Sequence, residues 1–297
     1  MSAESQTEFS QAQQVSEFPT PNSKITPHVR IRPSRGWSAL HLHDVWEYRE
    51  LLYFLVWRDV KVRYKQTVLG IAWVALQPLA TTIVFTLIFG NLAKLPSDNL
   101  PYAVFALAGL LPWNYFAGAI GRGGQSLVGS ANLISKVYFP RLIIPISGVL
   151  GGLVDFGIVF GLLAALLPFY GYFPTLAWLL LPFLVLLAIA TALGVSLWLS
   201  ALNVQYRDIG YLIPFFVQLW FFATPVVYPQ SMIPAPWDAL YALNPMVGVI
   251  GGFRWALFGK GAAPGLTLLL SLVVVLALLV SGLYIFKRME RTFADVV

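Results

Sequence analysis

This sequence is poor in charged side chains and contains no cysteine. Only 11% of its 297 residues are Asp, Glu, Lys or Arg, whereas soluble globular proteins carry about 25%. Hydrophobic residues make up 58%, and the mean hydropathy is +0.73, so the composition argues against a soluble enzyme, a nucleic-acid-binding domain and a disordered chain. The lack of cysteine excludes disulfide bonds, thiolate metal sites and a cysteine nucleophile.

The places where charge is missing predict the membrane topology. A helix needs about 20 apolar residues to cross a hydrocarbon core of about 30 Å. Continuous Leu-rich runs favour helices over the alternating strands of a membrane barrel. The longest uncharged run contains its own turn, Pro168 to Pro174, and therefore holds parts of two spans. We predict an all-α membrane protein with six transmembrane helices, at 69–91, 102–121, 142–167, 177–199, 210–228 and 265–286.

The positive charges predict the orientation of these helices. Most of the 19 Lys and Arg precede the first predicted span or follow the second, fourth and sixth, which places both termini in the cytoplasm. Lys94, Arg254 and Lys260 fall on the outer side. The pI near 9.5 then reflects topology, and we expect no nucleic-acid partner. Residues 1–44 are predicted to be a flexible cytoplasmic tail without a signal peptide, and 291–297 a short cytoplasmic tail.

Residues 45–65 predict an amphipathic helix on the bilayer surface, ahead of a six-span domain at 66–290. Leu51, Leu52, Leu55, Val56 and Val62 recur at helical spacing and form its predicted lipid-facing side. A solvated lead-in to the first span explains the same pattern. Basic residues at the other side are candidates to meet lipid headgroups: Arg58, Lys61, Arg63 and Lys65.

The inner loop 122–141 contains a short predicted helix that Ser130 and Asn132 begin and Phe139-Pro140 ends. Apolar side chains such as Leu133, next to Lys136, suit docking into the groove of a partner protein. An ordinary loop on the bilayer surface is the alternative.

Residues 228–264 are too apolar for an external loop, yet proline and glycine interrupt them repeatedly. We predict two short re-entrant helices on the outer side. Irregular backbone at membrane depth survives only against protein or a water-filled cavity, so this segment indicates that the spans surround a path. A seventh span is the alternative. The residues singled out here are Trp237, Tyr241, Asn244, Pro245 and Arg254.

Polar and aromatic side chains inside the spans are candidates to line such a path. Asp155 is the one ionisable residue well inside a predicted span, and it is either functional or a structural carboxylate between closely packed helices. The motifs Gly148-x3-Gly152 and Gly157-x3-Gly161 predict that close packing. Aromatic faces and amides suit sugar rings and hydroxyl groups. The candidates are Trp73, Gln77, Phe85, Trp113, Tyr115, Phe116, Gln218 and Phe221.

Several chemistries have no residues to support them. The three His all lie in the N-terminal part of the chain, so we expect no metal site and no catalytic residues. The nearest approach to a phosphate loop is Phe258-Gly259-Lys260-Gly261, but Arg254 stands where the first glycine is required. The chain therefore cannot bind ATP in the P-loop manner, and any ATP and Mg must be held by a separate partner subunit.

An ordered set of short motifs over residues 45–290 resembles the ABC-2 type permeases that export polysaccharides and polyol phosphates, most closely the O-antigen (Wzm-like) type. The N-terminal block contains Arg58-Asp59-Val60-Lys61-Val62-Arg63-Tyr64, Thr67, Leu69-Gly70, Trp73 and Gln77-Pro78. Later blocks contain Asn132-Leu133-Ile134, Lys136, Phe139-Pro140-Arg141, Pro145, Asn203-Val204, Arg207-Asp208, Thr224-Pro225-Val226, Tyr228 and Asn244-Pro245.

The resemblance implies a homodimer that works with two copies of a nucleotide-binding ATPase, with or without a carbohydrate-binding domain, in the bacterial inner membrane. It implies that 45–65 is an interface helix near the ATPase, that Ser130, Asn132, Leu133 and Lys136 lie in a coupling helix seated on the ATPase, and that 228–264 forms external gate helices. The implied cargo is an undecaprenyl-diphosphate-linked glycan. Capsule or teichoic acid export, small-lipid or drug export, and a membrane enzyme acting on lipid-linked sugars are the alternatives.

Overall fold

The computed structural model describes residues 42–65, 70–260, 264–290 and 293. The predicted tails lie outside these residues except at 42–44 and 293, as do the motif residues Thr67 and Leu69. All regular structure in the described part is helical, as the sequence predicted. The α-helices are α1 (Leu42–Glu47), α2 (Arg49–Lys65), α3 (Ile71–Phe85), α4 (Tyr102–Gly129), α5 (Ala131–Lys136), α6 (Ile143–Leu150), α7 (Leu153–Leu166), α8 (Leu181–Gln205), α9 (Ile209–Phe222), α10 (Ala235–Ala242), α11 (Pro245–Phe258) and α12 (Leu266–Met289).

Five helical segments of the described chain are long and apolar enough to cross a membrane. Short π or 3-10 turns extend three of them, and the segments are Ile71–Leu92, Tyr102–Gly129, Ile143–Tyr170, Leu176–Gln205 and Leu266–Met289. The fifth predicted span, 210–228, is a shorter helix. Helix α9 has 14 residues, which at 1.5 Å per residue makes about 21 Å. Irregular backbone follows it over 223–229, where the Thr224-Pro225 pair interrupts the helix.

Helix α4 is the centre of the bundle. In its most apolar stretch 78% of the residues are buried, against 33% or less in the other four spans. It packs against α3, α6, α7, α8, α9 and α11. The other spans keep much of their apolar surface outward, as helices do that face lipid or a second chain.

Glycine allows two pairs of helices to approach closely. A Cβ on Gly148 of α6 would lie 3.2 Å from Cα of Gly123 in α4, and one on Gly282 of α12 would lie 2.6 Å from the carbonyl oxygen of Gly194 in α8. The predicted close packing at Gly157 and Gly161 does not occur among the described residues, because a Cβ at either would meet nothing within 4 Å. Four-residue spacing predicts a small-residue face but not which neighbour meets it.

Helix α2 packs against α6 and shares a core with Phe286 and Phe293 near the C-terminus. Leu55 is buried in a core with Ile143 and Ile144, and Leu51 and Leu52 pack against the same core. The predicted lipid-facing stripe was wrong for its leucines, which contact protein, whereas Val62 of the same stripe is 71% exposed. The outward side of α2 is aromatic instead, with Tyr53, Phe54 and Trp57 exposed. Aromatic rings suit the membrane–water boundary.

Candidate functional site

One side of α4 is lined by open cavities along most of its length. Residues four apart lie on one helix face, and here they are Trp113, Asn114, Ala117, Gly118, Gly121, Arg122 and Gln125, which we call the open face of α4. Three cavities adjoin it. The first, of about 530 Å³, lies against α9. The second, of about 420 Å³, lies between α3, α4 and α7. The third, of about 720 Å³, lies between α2, α4 and α6.

These cavities adjoin one another, since they share wall residues. Ala117 borders the first and second, and Gly121 and Gln125 border the first and third. Gly118 and Arg122 border the second and third. The small residues on the open face leave room beside α4, and the amide of Gln125 offers both a donor and an acceptor. The arrangement forms a groove suited to an extended, hydrated ligand.

Most predicted path residues border this groove. Gln218 and Phe221 of α9 line the first cavity with Trp113, and Trp73, Gln77 and Tyr115 line the second. Phe85 is half-buried, with its ring 6.1 Å from that of Phe221.

Phe116 was predicted wrongly. Its side chain is completely buried, 5.1 Å from the ring of Trp220 and 5.6 Å from that of Trp113. An aromatic residue type does not say which side of a helix it occupies. The sequence reasoning also missed Gly118, Gly121 and Arg122. Their signal was the four-residue spacing of small and polar residues along α4.

Asp155 connects α2 to the wall of the groove. Its carboxylate forms an ion pair with Arg63 and accepts a hydrogen bond from the Tyr64 hydroxyl, both at the end of α2. Burial, followed by the hydrogen bond to Asp155, raises the pKa of Tyr64 from 10.0 to about 12. The Tyr64 hydroxyl therefore stays protonated and able to donate well above neutral pH.

The basic residues of α2 do not act as one group. Arg58, Lys61 and Lys65 are exposed, and Arg58 is paired with Asp59 at 2.8 Å. Arg63 is half-buried and lines both the second and the third cavity. The sequence placed all four at a lipid surface, whereas the fold turns Arg63 inward.

The loop after α4 contains the predicted short helix, α5. Ile134 is buried and Leu133 half-buried against the core beneath α2, so these apolar side chains hold the helix to its own chain. Asn132, Lys136 and Tyr138 are exposed, the last by 92%. The side chain of Ser130 makes no capping hydrogen bond, contrary to the prediction. The surface available to a partner is therefore the Lys136–Tyr138 end.

The segment 228–264 contains the two predicted short helices, α10 and α11. Asn244 organises the break between them: its Oδ1 accepts from the Met246 backbone N–H at 3.1 Å and from the Trp220 indole at 3.0 Å. Its amide donates to Thr224 Oγ1 at 2.9 Å and to the Ala223 carbonyl at 3.0 Å. Every hydrogen-bonding group of that side chain is used, and α9 is thereby fixed to α11.

Trp237 and Tyr241 differ in their surroundings on α10. Trp237 is 61% exposed. The Tyr241 hydroxyl lies 2.8 Å from that of Tyr228, and the latter donates to the Phe222 carbonyl at 2.7 Å. Burial raises the pKa of Tyr241 far above its usual value. Pro245 is buried at the first turn of α11, where its missing N–H is harmless.

The sequence placed Arg254 on the outer side of the membrane as a surface charge, but its side chain is buried. It is 7% exposed, and its guanidinium lies 3.6 Å from the ring centroid of Phe105 in α4. It donates to the carbonyls of Val226 at 2.6 Å, Pro225 at 2.7 Å and Phe105 at 3.3 Å. The irregular backbone after α9 thus gains the hydrogen bonds that a helix would have supplied.

A metal-binding geometry exists at one place among the described residues, where ligand atoms of His43, Asp44 and Glu47 lie within 4.8 Å of one another. His43 and Glu47 are exposed, and none of the three borders the groove. Exposed acidic groups of this kind are common without an ion.

Comparison with known proteins gives consistent matches. The family model for the ABC-2 type transporter matches residues 50–258, which run from α2 through α11 and include the open face of α4. The O-antigen export system permease protein RfbA of Myxococcus xanthus is 34% identical over 86% of this chain and 98% of its own length. A protein of the same name from Klebsiella pneumoniae is 30% identical over 84% and 95%. The polysialic acid transport protein KpsM of Escherichia coli is 23% identical over 79% and 91%.

Proposed function

This chain belongs to the ABC-2 type transporter family, and on that premise we propose that it is the permease subunit of an ATP-driven exporter of lipid-linked polysaccharide, of the O-antigen kind. It is a multi-pass protein of the inner membrane. The observation that carries the proposal is the groove on the open face of α4, whose walls are aromatic, small or uncharged apart from five charged side chains in the second and third cavities. Such walls let a hydrated polymer slide without binding tightly at one point.

The groove is bordered by α3 and α9, whose outward sides are exposed, so a single chain would leave a polar cargo close to lipid. These outward sides are apolar, with Ile83 on α3, Leu87 in the π turn that follows it, and Phe215, Phe216 and Leu219 on α9. A second copy related by a two-fold axis covers this side and closes the passage. We therefore propose a homodimer whose two open faces form one duct.

The driving force must come from another protein, because the sequence contains no phosphate loop. Membership of the family implies an ABC ATPase partner. Residues 122–129 of the predicted coupling loop 122–141 belong to α4. We propose that two copies of the ATPase bind ATP and Mg and contact the part of this loop that follows α4, at Lys136 and at the neighbouring Tyr138. Arg58, Lys61 and Lys65 on the exposed side of α2 would meet lipid headgroups or the same subunit. Closure of the ATPase pair then moves α2 and α5, which share one core, as a unit.

The orientation follows from this arrangement. With the ATPase in the cytoplasm, the ends of α2, α4 and α12 and both tails are cytoplasmic, and α10 and α11 form an external gate around Asn244. Positive charge near the cytoplasmic ends of the spans supports the same orientation. Capsule or teichoic acid is the alternative cargo. This alternative leaves the mechanism unchanged, and the similarity to a polysialic acid transport protein supports it.

The test is a bulky substitution that would block the groove. A Cβ on Gly121 meets nothing within 4 Å and points into the groove, whereas Gly157 of α7 is equally free but lines none of the three cavities. In cells that lack the chromosomal copy, Gly121→Trp should abolish surface glycan while the chain still reaches the membrane and co-purifies with its ATPase. Gly157→Trp is the matched control and should export normally.

Replacing the catalytic carboxylate of the partner ATPase should abolish surface glycan as well. Export that continues with the inactive ATPase would refute an ATP-driven permease. Equal export by both tryptophan variants would refute the groove as the path.

A further inference from the structure

Arg122 is a cation in the wall of the groove that forms no direct ion pair with any of the described residues. It lies on the open face of α4, and its Nε donates to the Gly148 carbonyl at 3.1 Å. Its two Nη groups make no hydrogen bond or ion pair with any residue in the described part of the chain. They border both the second and the third cavity. A guanidinium offers five donors, and most of them here are free.

The space around this guanidinium is kept by glycine. A Cβ on Gly118 would lie 2.9 Å from Nη1 of Arg122, and a Cβ on Gly152 would collide with Nη2. Any other residue at Gly152 would therefore push the side chain out of its present position. Two helices, α4 and α7 with the turn before it, thus leave a niche in which the guanidinium fits and from which it reaches the groove.

The surrounding charges are unbalanced. The third cavity is lined by Arg58, Arg63 and Arg122, and the carboxylates near them are Asp59 and Asp155. Asp59 is paired with Arg58, and Asp155 with Arg63 and Tyr64. One positive charge remains over, and two guanidinium groups border the same partly buried cavities. Like charges in such a place repel each other unless an anion lies between them.

The depth of Arg122 restricts what that anion is. The residue is seven positions before the end of α4, which is about 10 Å along the helix axis. In the proposed orientation this places it near the inner boundary between headgroups and acyl chains. Because exposed helices, α3 and α9, border the groove, a lipid that enters beside them can present its headgroup there while its tail stays in the bilayer.

We propose that Arg122, together with Arg63, binds the diphosphate of the lipid carrier as the cargo enters the groove. The assignment rests on the proposed function, from which it takes the class of cargo. Guanidinium groups bind phosphoryl oxygens in pairs of parallel hydrogen bonds, which an ammonium group cannot reproduce. Bulk phospholipid is the other source of a lipid phosphate, and the site is assigned to the diphosphate because two guanidinium groups face one cavity.

The experiment measures binding of farnesyl diphosphate to the full-length permease, with its ATPase, in nanodiscs of zwitterionic lipid. Arg122→Gln should weaken binding at least about tenfold, since hydrogen bonds between charged groups are lost. Gly121→Asp places a carboxylate in the same cavity and should weaken binding similarly, while Gly121→Asn, equal in size and uncharged, should weaken it clearly less. Arg288→Gln, an exposed cation at the end of α12, controls for loss of charge.

The outcomes are distinct. Unchanged affinity in Arg122→Gln or Gly121→Asp overturns the site, as does equal binding of farnesol, which lacks phosphate. Displacement of farnesyl diphosphate by phosphatidylglycerol at equal mole fraction overturns the assignment to the carrier diphosphate. Arg122-dependent binding without ATP-dependent glycan export would refute the proposed function and leave the anion site standing. Normal export together with binding that does not depend on Arg122 would refute the anion site and leave the proposed function standing.

Discussion

Asp155, inside α7, is ion-paired with Arg63 at the end of α2. The pair joins a helix that lies against the bundle from the side to a helix that lines the groove. Movement of α2 is therefore transmitted to the groove wall through one charged contact as well as through the leucine core. The ion pair explains why a span contains a carboxylate, because the positive charge of Arg63 lies beside it.

Asp155→Asn should loosen this contact. The amide still accepts a hydrogen bond from Tyr64 but no longer pairs with Arg63. Because both side chains are partly exposed, we expect a loss of only about 1–2 kcal/mol in stability. Thermal unfolding of the purified permease measures it. A double-mutant cycle with Arg63→Gln should give strong non-additivity, and simple additivity would contradict direct coupling.

Arg254→Met should destabilise the external segment severely. The change leaves the carbonyls of Pro225 and Val226 without donors inside the protein, with an expected loss of about 2–4 kcal/mol. Arg254→Lys should not restore stability, because one ammonium group cannot replace the planar fork that reaches three carbonyls. Unfolding temperature and yield of folded protein report the effect. A lysine variant as stable as the wild type would contradict the account.

Gly148→Ala should separate α6 from α4. The added methyl group lies 3.2 Å from the backbone of Gly123, and the helices must shift to relieve the contact. The expected loss is about 1–3 kcal/mol. Gly157→Ala is the matched control and should lose nothing, since its Cβ meets nothing within 4 Å. Equal unfolding temperatures for the two variants would disprove the close approach.

Lys136→Glu should reduce association with the ATPase. The side chain is exposed at the end of α5, beside Tyr138, and reversing its charge alters the proposed docking surface without disturbing the core. We expect at least a severalfold decrease in co-purified ATPase. Lys94→Glu reverses an exposed charge before α4, at the opposite end of that helix, and should leave co-purification unchanged. Equal recovery with both variants would exclude α5 as the docking site.

Several features of the site were accessible from sequence because they depend on residue type at short range. Pro and Gly within 228–264 predicted two short helices, and the structure has them. The assignment of faces was less successful. Phe116 and Gln218 were both predicted to line the path. Phe116 is buried on the side of α4 away from the groove, whereas Gln218 lines a cavity. Periodicity gives the angle between two side chains on a helix, but not the direction of the neighbouring helix.

The sequence by itself determined that the chain crosses a membrane, because long uncharged apolar runs are stable in hydrocarbon as helices, which satisfy their own backbone hydrogen bonds. It also determined that the chain contains no phosphate loop, since that loop is a local sequence pattern. Only the tertiary structure decided where the isolated charges go. Asp155, Arg63, Arg122 and Arg254 are far apart in sequence, and a buried charge is set by the partners that the fold brings within a few ångströms.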